Sequence, residues 1–111
     1  MHTETTYESY GNSIGIILKT RNSGEQQTSA VDLTGVTRVV LKAGSTEIDS
    51  DKAEYADVFD WDTGITGGIQ MTLGNTGLSS GRHRAWLITY DPANLDGIVW
   101  GSFELNMVDL V

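Results

Sequence analysis

Residues 98–108 read Ile98-Val99-Trp100-Gly101-Ser102-Phe103-Glu104-Leu105-Asn106-Met107-Val108, and from Ser102 to Met107 polar and apolar side chains alternate one for one. A period of two is the repeat of a β-strand with one buried face. The alternation sets Val99, Gly101, Phe103, Leu105 and Met107 on one side and leaves Trp100 on the other with Ser102 and Glu104.

The same pattern recurs upstream. Ser13 to Thr20 carries Ile14, Ile16 and Leu18 on one face, Thr37 to Ala43 sets Val39 and Leu41 opposite Arg38, Val40 and Lys42, and Gly68 to Leu73 alternates Ile69, Met71 and Leu73 with Gln70 and Thr72. Thr46 to Asp49 and Val58 to Trp61 are shorter runs, and Arg82 to Tyr90 is a long one. Between them lie Asn22-Ser23-Gly24, Thr63-Gly64, Thr66-Gly67-Gly68, Gly74-Asn75-Thr76-Gly77, Ser79-Ser80-Gly81 and Asp91-Pro92-Ala93-Asn94, all rich in turn-forming residues. Helical periodicity is almost absent, and only Ser50 to Phe59 could hold a turn or two. Seven runs at this spacing predict an all-β protein, an immunoglobulin-like antiparallel β-sandwich of about seven strands. The expected organisation is a flexible N-terminal arm over residues 1–12, one sandwich domain over 13–111, and a loop over 21–30.

Composition narrows the function. The 111 residues carry 7 Lys and Arg against 15 Asp and Glu, a net charge of −8. Neutralising phosphates requires a basic face, so nucleic acid and an anionic membrane surface are not expected partners. No apolar run approaches the ~20 residues of a membrane-spanning helix, and the first residues lack the basic and apolar regions of a secretory signal. A soluble protein made in a cytoplasm is the expectation. The chain has no cysteine, which removes thiolate catalysis and cysteine-ligated metal.

The negative charge is concentrated. Between Glu47 and Asp62 stand seven acids and one base, Lys52, leaving six net negative charges in that stretch. Asp57, Asp60 and Asp62 are candidate oxygen ligands for a hard cation such as calcium, although their spacing is not that of an EF-hand loop. A solvated acidic loop or a dock for a basic partner are the other readings. Catalysis is not expected. Paired carboxylates would have to combine this cluster with Asp91, Asp96 or Glu104, and neither a cleft nor a separation is indicated. His83 stands between two arginines with no Gly-x-Ser-x-Gly elbow in the chain, and no glycine cluster has the Lys-Ser/Thr pair of a phosphate-binding loop. No cofactor is expected.

Trp61, Trp86 and Trp100 remain. Arg82 to Tyr90 is apolar on both faces over residues 85–88, so either Ala85 and Leu87 or Trp86, Ile88 and Tyr90 face the core. A doubly apolar strand is covered twice or sits at an interface. Trp86, Ile88, Tyr90 and Trp100 are therefore candidate subunit-contact residues, with internal packing as the alternative. Exposed aromatic faces would also stack on sugar rings, making a glycan a possible ligand.

The stretch Val31-Asp32-Leu33-Thr34-Gly35-Val36-Thr37-Arg38-Val39-Val40-Leu41-Lys42 resembles the apolar-x-Leu-Thr-Gly-x-Thr approach to the second strand of small immunoglobulin-like domains in tailed-phage virion proteins, and is similar to the N-terminal domain of phage upper baseplate proteins. Gly77 to Ala85 and Ile88 to Gly101 resemble the later part of such domains, where a glycine precedes a long strand and an Asp-containing loop leads to the last one. The likeness spans about residues 14–108. It implies a non-enzymatic structural protein of the virion, assembled in the host cytoplasm and working as a homo-oligomer through contacts with itself and other virion proteins. The 111 residues stop after the last strand, without the helical or fibre region that follows in the baseplate pattern, so a tail, neck or head accessory is expected as readily as a baseplate component. The second reading is a carbohydrate-binding or receptor-binding accessory.

Overall fold

The computed structural model describes residues 2–21 and 28–110. In chain order the strands are β1 (Thr3–Tyr7), β2 (Ser13–Ile17), β3 (Lys19–Arg21), β4 (Thr28–Ala30), β5 (Arg38–Ala43), β6 (Thr46–Asp49), β7 (Phe59–Asp60), β8 (Gly68–Thr72), β9 (Gly81–Asp91) and β10 (Asn94–Val108). One 3-10 turn, Ala53–Tyr55, lies in the window with the best helical signal. Five strands form one sheet in the order β1-β10-β9-β5-β6, three form a second in the order β2-β8-β7, and β3 pairs with β4.

The two larger sheets face each other across one core. Ile14, Ile69 and Met71 from the smaller sheet meet Val39, Leu41, Ile48, Ala85, Leu87, Phe103, Leu105 and Met107 from the larger, joined by Leu18, Leu33, Leu73 and Leu78 from the connecting segments. Each large side chain fully buried there contributes roughly 1.5–3 kcal/mol. The chain is thus an all-β sandwich, and the faces expected for β2, β5 and β8 are the ones buried.

Two expectations change. There are ten strands among the described residues rather than about seven, and one pairing is parallel: β1 runs beside β10 from Thr3 opposite Glu104 to Tyr7 opposite Val108. Residues 3–7 are therefore a sheet edge and not a flexible arm. Their polarity hid them, because Thr supplies a β-branched side chain without an apolar signature. Thr6 is completely buried beside Met107, with its hydroxyl 3.5 Å from the Asn12 carbonyl. Residues 28–30 likewise belong to a strand, while 22–27 of the expected loop lie outside the described residues.

The edge is fastened at both ends. Glu104 donates its N–H to the His2 carbonyl at 2.8 Å, Glu8 donates to Val108 at 2.9 Å, and Ser9 donates to Gly74 at 2.8 Å as the chain crosses to the smaller sheet. That crossing leaves no room for a side chain at Gly74. A Cβ there would sit 2.1 Å from the Tyr10 carbonyl oxygen and 2.7 Å from that of Tyr7. Gly74→Ala is expected to cost about 2–4 kcal/mol by urea unfolding and to speed amide exchange over residues 4–8. Gly35→Ala, where a Cβ meets nothing within 4 Å, should stay within about 0.5 kcal/mol.

Candidate interaction surfaces

The hairpin of β9 and β10 decides what the larger sheet shows to solvent. Pairing runs regularly from Met107 opposite Gly81 to Ser102 opposite Trp86, and the next aligned pair is Val99 opposite Ile88. Three residues on β10 thus span two on β9. This is a β-bulge, with Trp100 and Gly101 sharing the place opposite Leu87. Gly101 takes φ +114, a conformation side chains resist. One extra residue reverses the parity of everything before it.

The reversal corrects the sequence reading of Trp100. Its indole is half-buried against the inter-sheet core and donates Nε1–H to the Thr89 hydroxyl at 2.8 Å, while Val99, expected inside, is 57% exposed. Thr89 is itself buried, so the indole satisfies an otherwise costly hydroxyl. A second irregularity lies nearer the tip, between Asn94 opposite Asp91 and Ile98 opposite Thr89. There Gly97, at φ +85, lies over Tyr90 and Ile88; a Cβ would stand 2.7 Å from the Tyr90 ring and 2.9 Å from Ile88.

Both faces of β9 are consequently used. Ala85, Leu87 and Thr89 turn inward, and Trp86, Ile88 and Tyr90 turn outward. Outward does not mean exposed. Ile88 and its cross-strand partner Val40 are buried outside the inter-sheet core, and Tyr90 is half-buried with the Arg38 guanidinium 4.4 Å from its ring centroid. Of the four expected contact residues, only Trp86, at 40%, is an exposed aromatic. Val99 stands on the same outer face through its pairing with Ile88, and Leu95 at the hairpin tip is 80% exposed. The sequence gave no sign of Val99, because only the bulge turns it out.

Arg38 also closes the far end of β5. Its Nε donates to Asp49 Oδ1 at 2.9 Å and its Nη2 to Oδ2 at 2.5 Å, a two-pronged pair to which the Asp51 N–H adds a bond of 3.0 Å. These bonds hold the Asp49 carboxyl below the ordinary carboxylate range despite its burial, with the Arg38 hydrogen bonds the largest cause.

The remaining acids do not converge. Among the described residues no three His, Asp or Glu side chains are placed to hold a metal, so Asp57, Asp60 and Asp62 are not brought together as a ligand set. Asp60 Oδ1 instead accepts the Asp62 N–H at 3.0 Å. Glu104 pairs with Arg82 at 2.8 Å, Asp91 caps its own turn through Ala93 and Asn94, and His83 Nε2 lies 2.8 Å from the Ser79 carbonyl. Among the described residues, a groove of about 290 Å³ between β2 and β10 includes Ile16, Ile17 and Trp100, and a cleft of about 470 Å³ is lined by residues 32–34 and 61–67, with Trp61 as one wall. Among the described residues, no helix is long and apolar enough to cross a membrane.

No family model matches the chain, and no curated protein matches its sequence.

The Arg38–Asp49 pair makes a pH-dependent contribution of definite sign. A depressed folded-state pKa stabilises the fold above the ordinary carboxylate value and is lost as pH falls through the lower folded value. Asp49→Asn should therefore cost roughly 1–2 kcal/mol at pH 7, the lower range for a charged hydrogen bond because 31% of the Arg38 side chain stays in water. The difference from the parent should shrink below about pH 4, measured by urea unfolding across pH.

Proposed function

We propose that this chain is a non-enzymatic structural module of a tailed-phage or prophage virion, acting in the virion as a homo-oligomer and through contacts with other virion proteins. The reading starts from the resemblance of residues 31–42, 77–85 and 88–101 to small virion immunoglobulin-like domains, and an all-β sandwich fold supports it. The observation that carries the assembly part is the outer face of the β9–β10 hairpin. Trp86 and Val99 stand there over a buried layer of Val40 and Ile88, with Leu95 at the tip. Large side chains exposed together on a sheet face are the usual mark of a protein contact. Trp86 is the best single anchor, because large, rigid aromatics dominate the binding energy of protein contacts.

The glycan reading is weakened at two of its aromatic residues. Tyr90 is covered by Arg38 and Gly97, and Trp100 is half-buried with its indole N–H engaged by Thr89, which leaves only part of its ring to line a groove.

Light scattering coupled to size-exclusion chromatography tests the proposal. A defined oligomer is expected for the parent chain, and Trp86→Lys with Val99→Glu should shift it to monomer at unchanged circular dichroism and melting temperature. A parent chain that stays monomeric at about 1 mM, far above a micromolar Kd, or an oligomer indifferent to both substitutions, would overturn the assignment of this face.

A further inference from the structure

The cleft of about 470 Å³ is assembled by one backbone residue. Leu18 accepts the Val31 N–H at 2.9 Å and donates its own N–H to the Gly67 carbonyl at 2.9 Å, which brings residues 32–34 alongside residues 61–67. The walls are stiff. Trp61 donates its indole N–H to the Val36 carbonyl at 3.1 Å, which fixes the ring, and Gly68 donates to Ile65 at 2.9 Å to close the loop. At Gly67, φ is +76 and a Cβ would fall 2.6 Å from the Leu18 carbonyl, so this loop cannot approach Leu18 with another residue in place.

Among the described residues the lining joins the Trp61 ring, part of which packs on the core, to the carboxylates of Asp32 and Asp62 and includes no base. Asp32 spends one oxygen, Oδ1, on the Thr34 N–H and hydroxyl, bonds that stabilise its ionised form. Asp62 has no hydrogen bond or ion pair to its carboxylate among the described residues; only its N–H is engaged, by Asp60. A fixed indole in the same cleft as two carboxylates is complementary to an organic cation, whose charge meets the carboxylates while its flat or apolar portion lies on the ring. A phosphate or carboxylate ligand would meet repulsion there. A metal ion would want more oxygen ligands than the cleft brings together.

We propose that this cleft binds an alkylguanidinium or alkylammonium group, either the side chain of an arginine or lysine on a partner protein or the end of a free polyamine. The site is separate from the Trp86 face and does not depend on the assembly reading.

Two-dimensional NMR of the intact chain tests it, following the Trp61 indole N–H and the amides of residues 62–66. The probes are Nα-acetylarginine methylamide, agmatine and, as the neutral isostere, Nα-acetylcitrulline methylamide. The arginine derivative or agmatine should give saturable shifts with a Kd of roughly 1–10 mM, as fits so small a ligand in an open cleft. Asp32→Asn and Asp62→Asn, both at exposed side chains, should each weaken binding by about fivefold, and raising salt to about 0.5 M should weaken it further. Tighter binding of the peptide-like probe identifies a protein side chain as the ligand, and tighter binding of agmatine identifies a polyamine. Equal shifts from the citrulline compound, shifts indifferent to both Asn variants, saturable binding of a methyl pyranoside instead, or no saturable shift at about 50 mM, well above that Kd, would each overturn the proposal.

Discussion

Between Val99 and Ser102 the chain advances three residues while β9 advances two, and which side chains the first part of β10 turns outward depends on that slip. Before it, side-chain parity favours burying Val99 and exposing Trp100. After it, Trp100 closes the rim of the core through Thr89, and Val99 joins Trp86 on the outside. A bulge costs ladder hydrogen bonds and needs an unusual backbone. Gly101 removes the second cost, and the half-buried Trp100–Thr89 bond offsets part of the first.

The rest of the sandwich is organised around β9 and β10, which lie at the middle of the larger sheet. Their inward faces meet the smaller sheet through Leu87, Phe103, Leu105 and Met107. Their outward faces support a second, thinner apolar layer, Val40 and Ile88, roofed at one end by Gly97 and Tyr90. Arg38 joins this layer to β6, because its guanidinium stacks on Tyr90 while holding both oxygens of Asp49. The acidic stretch from Glu47 to Asp62 is thus not one uniform loop. It begins as a paired edge strand with one neutralised carboxylate and ends at the aromatic wall of the cleft.

Most of the fold was legible because alternation is a local property. Ile14, Val39, Leu41, Ile69, Met71, Phe103, Leu105 and Met107 all lie on the faces their spacing indicates, since a strand turns its side chains over every residue wherever it is placed. Strands without an apolar face escaped: Thr3–Tyr7 is recognisable as an edge only when β10 lies beside it. The candidate site was less legible for the same reason. Asp32 and Trp61 are 29 positions apart in the sequence, and their meeting depends on hydrogen bonds made by the backbone of Leu18, which carry no side-chain signature.

The sequence by itself determined an acidic, cysteine-free, all-β chain with its core residues in alternating runs, because composition and period-two patterning act residue by residue. Only the tertiary structure decided which of the aromatics are available. Tyr90 lies beneath Arg38 and Gly97, Trp100 turns inward at a bulge, Trp61 is set as the wall of a cleft, and Trp86 alone of the four expected contact residues is left as an exposed aromatic. The physical reason is that exposure depends on register and on what crosses above a side chain, and a one-residue slip in pairing changes both without altering the local pattern.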